Sequence, residues 1–268
     1  IIGYVELANY NQRLLVQNCK NSGTITLEKS GPYGANAGGI IGEAGTQEYR
    51  IIDCLNTEDI SGYCSVGGIA GDLRGQNNAD TDKSKDGPYI SGCGNTGNIT
   101  VKAIDGENSS LEHQAVGGLV GRAELGVQIV NSYNTGSITS AARNVGGLLG
   151  RIGPGRDQTS AILTGCYTTG IVTKQGTQEK VGALIGTIDD LSSTEPALIT
   201  SSDLYYREQE LDAVGSGENE TVHATAVKET EDILCGNLSF VRPEGSTTAV
   251  TPSQAGFDAS AVTGLTIA

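Results

Sequence analysis

The chain has 268 residues, 17 basic against 31 acidic, for a net charge of −14. A field of that sign repels phosphate backbones and anionic lipid, which excludes nucleic acid as a partner. No apolar run reaches the roughly 18 residues of a membrane span, so membrane insertion is not expected. With 39 Gly, 2 Phe and neither Trp nor Met, the core must be built from Ile, Val, Leu, Ala and Cys, which suits thin regular layers.

In chain order, the opening "IIGYVE" lacks an initiator Met and reads as the tail of one repeat in an excerpt of a longer protein. A five-residue motif then recurs: "GGIIG" from 38, "GGIAG" from 67, "GGLVG" from 117, "GGLLG" from 146 and "GALIG" from 182. Its glycines are Gly38, Gly39, Gly67, Gly68, Gly117, Gly118, Gly146, Gly147 and Gly182, and the shortest unit is 29 residues. A second element alternates with it: "CKNSGTIT" from 19, "CLNTEDIS" from 54, "CGNTGNIT" from 93, "SYNTGSIT" from 132 and "CYTTGIVT" from 166.

Each unit reads as two or three short strands. Three residues before the cysteine position stand Val16, Ile51, Ile90, Ile129 and Leu163; six after it stand Ile25, Ile60, Ile99, Ile138 and Val172. These two columns, with Cys19, Cys54, Cys93 and Cys166, are the inward candidates. Asn-Thr-Gly supplies turn chemistry because Asn and Gly tolerate left-handed backbone angles, and "VGGLVG" reads as the next strand. A unit this small cannot bury its apolar residues alone, whereas stacked units form continuous columns. The expected fold is all-β: a single-stranded parallel β-solenoid, right-handed by the crossover rule. Some six rungs about 4.8 Å apart would stack to roughly 29 Å. Residues 1–202 carry the repeats. Residues 203–268 read as a C-terminal cap and extended tail, with a final strand in "DLYYREQEL" and a short helix in "VKETEDILCGN" from 227.

These motifs resemble the GLUG-motif family of bacterial secreted and cell-surface proteins. "GLVG" at 118–121 and "GLLG" at 147–150 match the Gly-Leu-uncharged-Gly pattern directly. The resemblance implies a repeat region of large secreted or wall-attached proteins, among them immunoglobulin A peptidases and adhesins, and no catalytic site within the repeats. Three departures stand out: Glu58 and Asp59 in the second unit, Ser132 in place of Cys, and Ala183 in place of the second Gly.

The glycine motif lacks the GxGxxG and GK[ST] signatures of nucleotide loops, and close backbone packing at a corner explains its copies. The cysteines fall one per rung rather than in CxxC pairs, which fits small buried hydrophobes better than zinc; Cys64 and Cys235 stand outside the column, and pairing of any cysteine is left open. The sharpest metal candidate is Asp80, Asp82, Ser84 and Asp86 before Gly87, an alternation similar to calcium loops, although Lys83 and Lys85 interleave. Glu43, Asp53, Asp72, Asp105, Glu107, Asp189 and Asp190 read as scattered through variable loops. Without Trp, a sugar platform would fall to Tyr33, Tyr63, Tyr89, Tyr133 and Tyr167. His113 and His223 lack ligand spacing and read as surface residues. Arg122, Arg151 and Arg156 form a basic strip that reads as a solvated rim.

The expectation is a non-enzymatic module, secreted or surface-displayed, acting as a stalk or adhesion scaffold. Its inserts at 27–36, 72–89 and 101–115 would meet a host or matrix glycan or protein. The alternatives are a polysaccharide-active β-helix enzyme, whether lyase or hydrolase, and an accessory repeat region of a surface peptidase. No cofactor is expected beyond the calcium candidate.

Overall fold

The computed structural model describes residues 2–5, 13–28, 35–45, 48–74, 89–102, 114–124, 126–153, 160–176, 180–189, 198–217, 222–227, 240–241 and 249–250. Their regular structure is entirely strand, stacked in parallel as a β-solenoid. Four sheets run along it. Sheet A takes Ile2–Val5, Ile41–Ala44, Ala70–Leu73, Val120–Glu124, Leu149–Gly153, Ile185–Ile188 and Val214–Ser216. Sheet B begins with Arg13–Gln17, Glu48–Ile52, Tyr89–Ser91 and Gln128–Val130, and passes through Ser160–Thr168 to Leu198–Arg207 and Ala224–Val227. Sheet C takes Ile25–Thr26, Ile60–Gly62, Ile99–Val101, Ile138–Ser140 and Val172–Lys174. Sheet D takes Ala37–Gly38, Val66–Gly67, Ala115–Gly117, Asn144–Gly146 and Lys180–Gly182.

Sheets C and D therefore have five strands and sheet A seven, close to the six rungs expected. Parallel pairing does not stop at residue 202. Leu198–Arg207 pairs with Ser160–Thr168 across its length, Val214–Ser216 pairs with Ile185–Ile188, and Ala224–Val227 pairs with Leu204–Arg207. An antiparallel pair, Phe240–Val241 with Ala249–Val250, follows. The expected helix from 227 lies almost wholly outside the described residues.

Both aliphatic columns stack in register, Val16–Ile51–Ile90–Ile129–Leu163 and Ile25–Ile60–Ile99–Ile138–Val172. Each fully buried Ile or Leu contributes about 1.5–3 kcal/mol. The glycine motif is not one strand with alternating aliphatics. In "VGGLVG", Val116 lies in the sheet D strand and packs in one core, while Leu119, at the bend, and Val120, which opens the sheet A strand, pack in another. The chain turns between them, so the aliphatics serve two cores. The larger core lies between sheets A and B, the smaller between C and D.

A polar seam accompanies these two cores. Asn21 Nδ2 donates to Asn56 Oδ1 at 2.7 Å, Asn56 to Asn95 at 2.7 Å, Asn95 to Asn134 at 2.8 Å, and Asn134 Nδ2 to Thr168 Oγ1 at 3.3 Å. Each Asn amide also donates to the carbonyl two residues ahead, at Gly23, Glu58, Gly97 and Gly136. Identical amides stacked at the rung spacing satisfy one another, which lets polar groups run through the interior. Because Glu58 offers its backbone oxygen as the glycines do, the second unit keeps this turn.

The Asn of Asn-Thr-Gly is therefore a ladder residue. The left-handed positions lie one residue before the cysteine column, at Asn18, Asp53, Gly92, Asn131 and Gly165, with Asp203 following (φ 47–64°). Only Gly, Asn and Asp occupy this column, the types that reach such angles at least cost. The two sequence elements meet across the seam: a Cβ on Gly118 would fall on the Gly147 carbonyl oxygen and the Asn134 side chain. Ala183 replaces this glycine where the register brings Tyr206 after Thr168, beyond the last ladder member.

Candidate functional site

Cys54, Cys93 and Cys166 are buried, and Cys19 is part-exposed near the first rung. Each thiol donates to the carbonyl two residues back, as Cys54 Sγ does to Ile52 O at 3.2 Å, Cys93 to Ser91 O at 3.4 Å and Cys166 to Thr164 O at 3.3 Å. Ser132 makes the same bond with its hydroxyl, to Val130 O at 2.9 Å, so the replacement keeps the column's hydrogen bond. Burial pushes Cys93 well above the ordinary thiol range and Cys166 up to about 12, which favours the protonated thiol in both near neutral pH. The five described cysteines are free thiols, and Cys64 is part-exposed; Cys235 lies outside the described residues. Among the described residues no three His, Cys, Asp or Glu side chains cluster to hold a metal. The calcium candidate Asp80, Asp82, Ser84 and Asp86 lies outside the described residues, as do His113, Arg156, Tyr33, Asp105, Glu107 and Asp190. His223 is exposed.

The proposed tyrosine platform is not available at two of its members. Tyr133 and Tyr167 are 2% and 1% exposed and stack on each other, centroids 5.4 Å apart and 11° between planes. Tyr89 lies under Arg50, with the guanidinium carbon 5.3 Å from the ring centroid. Two of the carboxylates expected in loops are on strands: Glu43 and Asp72 are register partners in sheet A.

That sheet carries a column of Glu43, Asp72, Arg122, Arg151 and Thr187, one per rung. Arg74 bridges Glu43 at 2.6 Å and Asp72 at 3.6 Å, while Arg122 meets Asp72 at 3.3 Å and Glu124 at 3.4 Å. Asp72 is 3% exposed and the Arg74 side chain 45%, so this acidic half is an ion network that runs from the interior to the surface. Arg151 lies one rung above Arg122, like charge beside like, and is held by Asp189 Oδ2 through Nε at 2.7 Å and Nη2 at 2.6 Å.

The sheet D strand starts lie beside the sheet A strand ends. Asn36 Nδ2 donates to Glu43 Oε2 at 2.9 Å, and Thr187 Oγ1 donates to Asn144 Oδ1 at 2.7 Å. Asn144 Nδ2 in turn donates to Gln114 O at 2.8 Å. At the basic end this junction opens into a cavity of about 230 Å³ lined by Arg143, Asn144, Arg151, Lys180 and Asp189. Arg151 alone of these cations belongs to the strip read from the sequence. Arg143 and Lys180 give no sequence signal, because only the D-to-A corner brings them to it.

The family model described as the GLUG motif matches residues 112–139. Halomucin of Haloquadratum walsbyi (strain DSM 16790 / HBSQ001) is 35% identical over 180 residues, 65% of this chain. The aligned region is 2% of that protein's length. No solved structure matches. The resemblance read from "GLVG" thus holds at its own residues: the chain carries the GLUG motif, on the corner between sheets D and A of a parallel β-solenoid.

Proposed function

We propose that the chain is a non-enzymatic repeat module of a much larger secreted or surface-displayed protein, a stiff spacer that carries binding loops. The supporting observation is the register across the inserts. Leu73 pairs with Ala44 and Ile90 with Ile51 on either side of residues 75–88. Val101 pairs with Gly62 and Val116 with Val66 on either side of 103–113. Inserts that leave the stacking unchanged can vary in sequence without altering the scaffold, the division of labour of a presenting module. The 2% coverage of halomucin fits a module of a long protein, and the GLUG family's extracellular setting fits the location. The six intervals between the seven sheet A strands, at the usual spacing, separate the first strand from the last by about 29 Å.

The test compares the chain with a variant in which residues 76–87 are replaced by a short Gly-Ser link. Adhesion is measured to surfaces coated with matrix proteins and with neutral and acidic polysaccharides, beside the unfolding curve of each protein. Lost adhesion with an unchanged unfolding midpoint is expected. Hydrolysis or elimination of any polysaccharide in the panel would replace this reading with the glycan-active enzyme.

A further inference from the structure

We infer that Cys19 and Cys54, stacked on successive rungs, form a two-coordinate binding site for a soft monovalent cation, copper(I) or its redox-inert analogue silver(I). The site follows from the rung geometry alone and does not depend on the module's proposed role. The two residues are one rung apart: Gln17 pairs with Ile52 and Lys20 with Leu55 on either side, and Leu55 N donates to Cys19 O at 2.9 Å. Their thiols are also aimed alike. Cys19 Sγ donates to Gln17 O at 3.5 Å and Cys54 Sγ to Ile52 O at 3.2 Å, each to the carbonyl two residues back. Equivalent contacts on successive rungs place the two sulfurs one rung repeat apart, about 4.8 Å.

That spacing selects the chemistry. A cation midway between the sulfurs lies about 2.4 Å from each, close to the roughly 2.3 Å of a zinc–thiolate bond. A disulfide fits worse, because Cβ atoms one rung apart exceed the roughly 3.5–4.5 Å that such a bridge spans. Zinc itself requires four ligands, and among the described residues no three His, Cys, Asp or Glu side chains cluster. Copper(I) and silver(I) accept two thiolates in a line, and thiolate is the soft ligand that selects copper(I). Binding replaces two S–H bonds by two sulfur–metal bonds, and both protons pass to solvent. Cys19 is part-exposed and Cys54 1% exposed, so the cation enters from the Cys19 side and is enclosed by Cys54. Cys93 continues the column at 0% exposure, but the gap between it and Cys54 has no exposed member, and Ser132 ends the run of thiols.

The experiment titrates the whole chain, reduced and without oxygen, with copper(I) in competition with the chromophoric chelator bicinchoninate. Every protein compared carries Cys64→Ser and Cys235→Ser, which removes the thiols outside the column. One copper(I) per chain is expected, with X-ray absorption showing two sulfur neighbours. Cys19→Ser and Cys54→Ser should each lose at least tenfold in affinity, against under twofold for Cys166→Ser. Ser132 shows that serine keeps the column's hydrogen bond, and circular dichroism checks that each variant is folded. Cys19→Ser, at the part-exposed position, decides alone if Cys54→Ser does not fold. No copper(I) held against the chelator, an equal loss in Cys166→Ser, unchanged affinity in Cys19→Ser, or a third sulfur neighbour would overturn the inference.

Discussion

Truncating the centre of the asparagine ladder, Asn95→Ala, should cost far more than truncating its end, Asn21→Ala. Asn95 is fully buried; its amide donates to Asn134 Oδ1 and to Gly97 O, both at 2.8 Å, and its oxygen accepts from Asn56 at 2.7 Å. After truncation Asn56 Nδ2 still has Glu58 O, but Asn134 Oδ1 and Gly97 O lose this donor. Two buried acceptors left without it cost about 1–3 kcal/mol each, so about 2–6 kcal/mol in total. Asn21 is part-exposed and at the first rung, where water can replace its amide. Its loss should therefore cost about 1 kcal/mol, the net value of an ordinary hydrogen bond. Urea unfolding followed by far-ultraviolet circular dichroism measures both. If Asn95→Ala lost no more stability than Asn21→Ala, the ladder would not be a load shared along the solenoid, and its bonds would be incidental to the stacking.

Gly118→Ala should destabilise by about 3 kcal/mol or more, because its methyl meets backbone as well as the ladder; Gly23→Ala, with only Asn21 Oδ1 at 3.9 Å, should stay within about 0.5 kcal/mol in the same assay. Asn131→Gly should raise the urea midpoint by about 1 kcal/mol equivalent, since Asn131 is left-handed and its buried amide has no partner among the described residues. A lowered midpoint would mean that its side chain packs usefully. Cys166, with its folded pKa pushed from 9.0 to about 12, stays protonated while the unfolded thiol ionises. Its contribution is thus full below pH 9 and falls by about 1.4 kcal/mol per pH unit above it, approaching pH 12. Unfolding midpoints from pH 8 to 11 should decline less steeply in Cys166→Ser; parallel declines would refute the assignment.

The solenoid was legible because stacking places like on like. An Ile above an Ile and a Cys above a Cys leave a period in the sequence that no insert erases, and Ser132 is recognisable as the same column. The roles inside the unit were harder to read. Asn56, Asn95 and Asn134 look like turn residues because Asn, Thr and Gly so often are; the amide ladder depends on the neighbouring rung, which local propensity does not see. The left-handed column leaves no single-letter period in the sequence because three residue types fill it. Tyr133 and Tyr167 passed for surface rings, since aromatic type alone says nothing about which face is covered.

The sequence by itself determined the repeat, the parallel stacking and the identity of the two aliphatic columns, because a unit too small for its own core has to bury the same positions on every rung. Only the tertiary structure decided that the glycine motif is a corner between two cores rather than one strand. The same corner brings Arg143 and Arg151 on one rung to Lys180 and Asp189 on the next. Those side chains are not periodic, and their meeting depends on how sharply the chain turns between sheets D and A, which the glycines permit and only the packed rungs define.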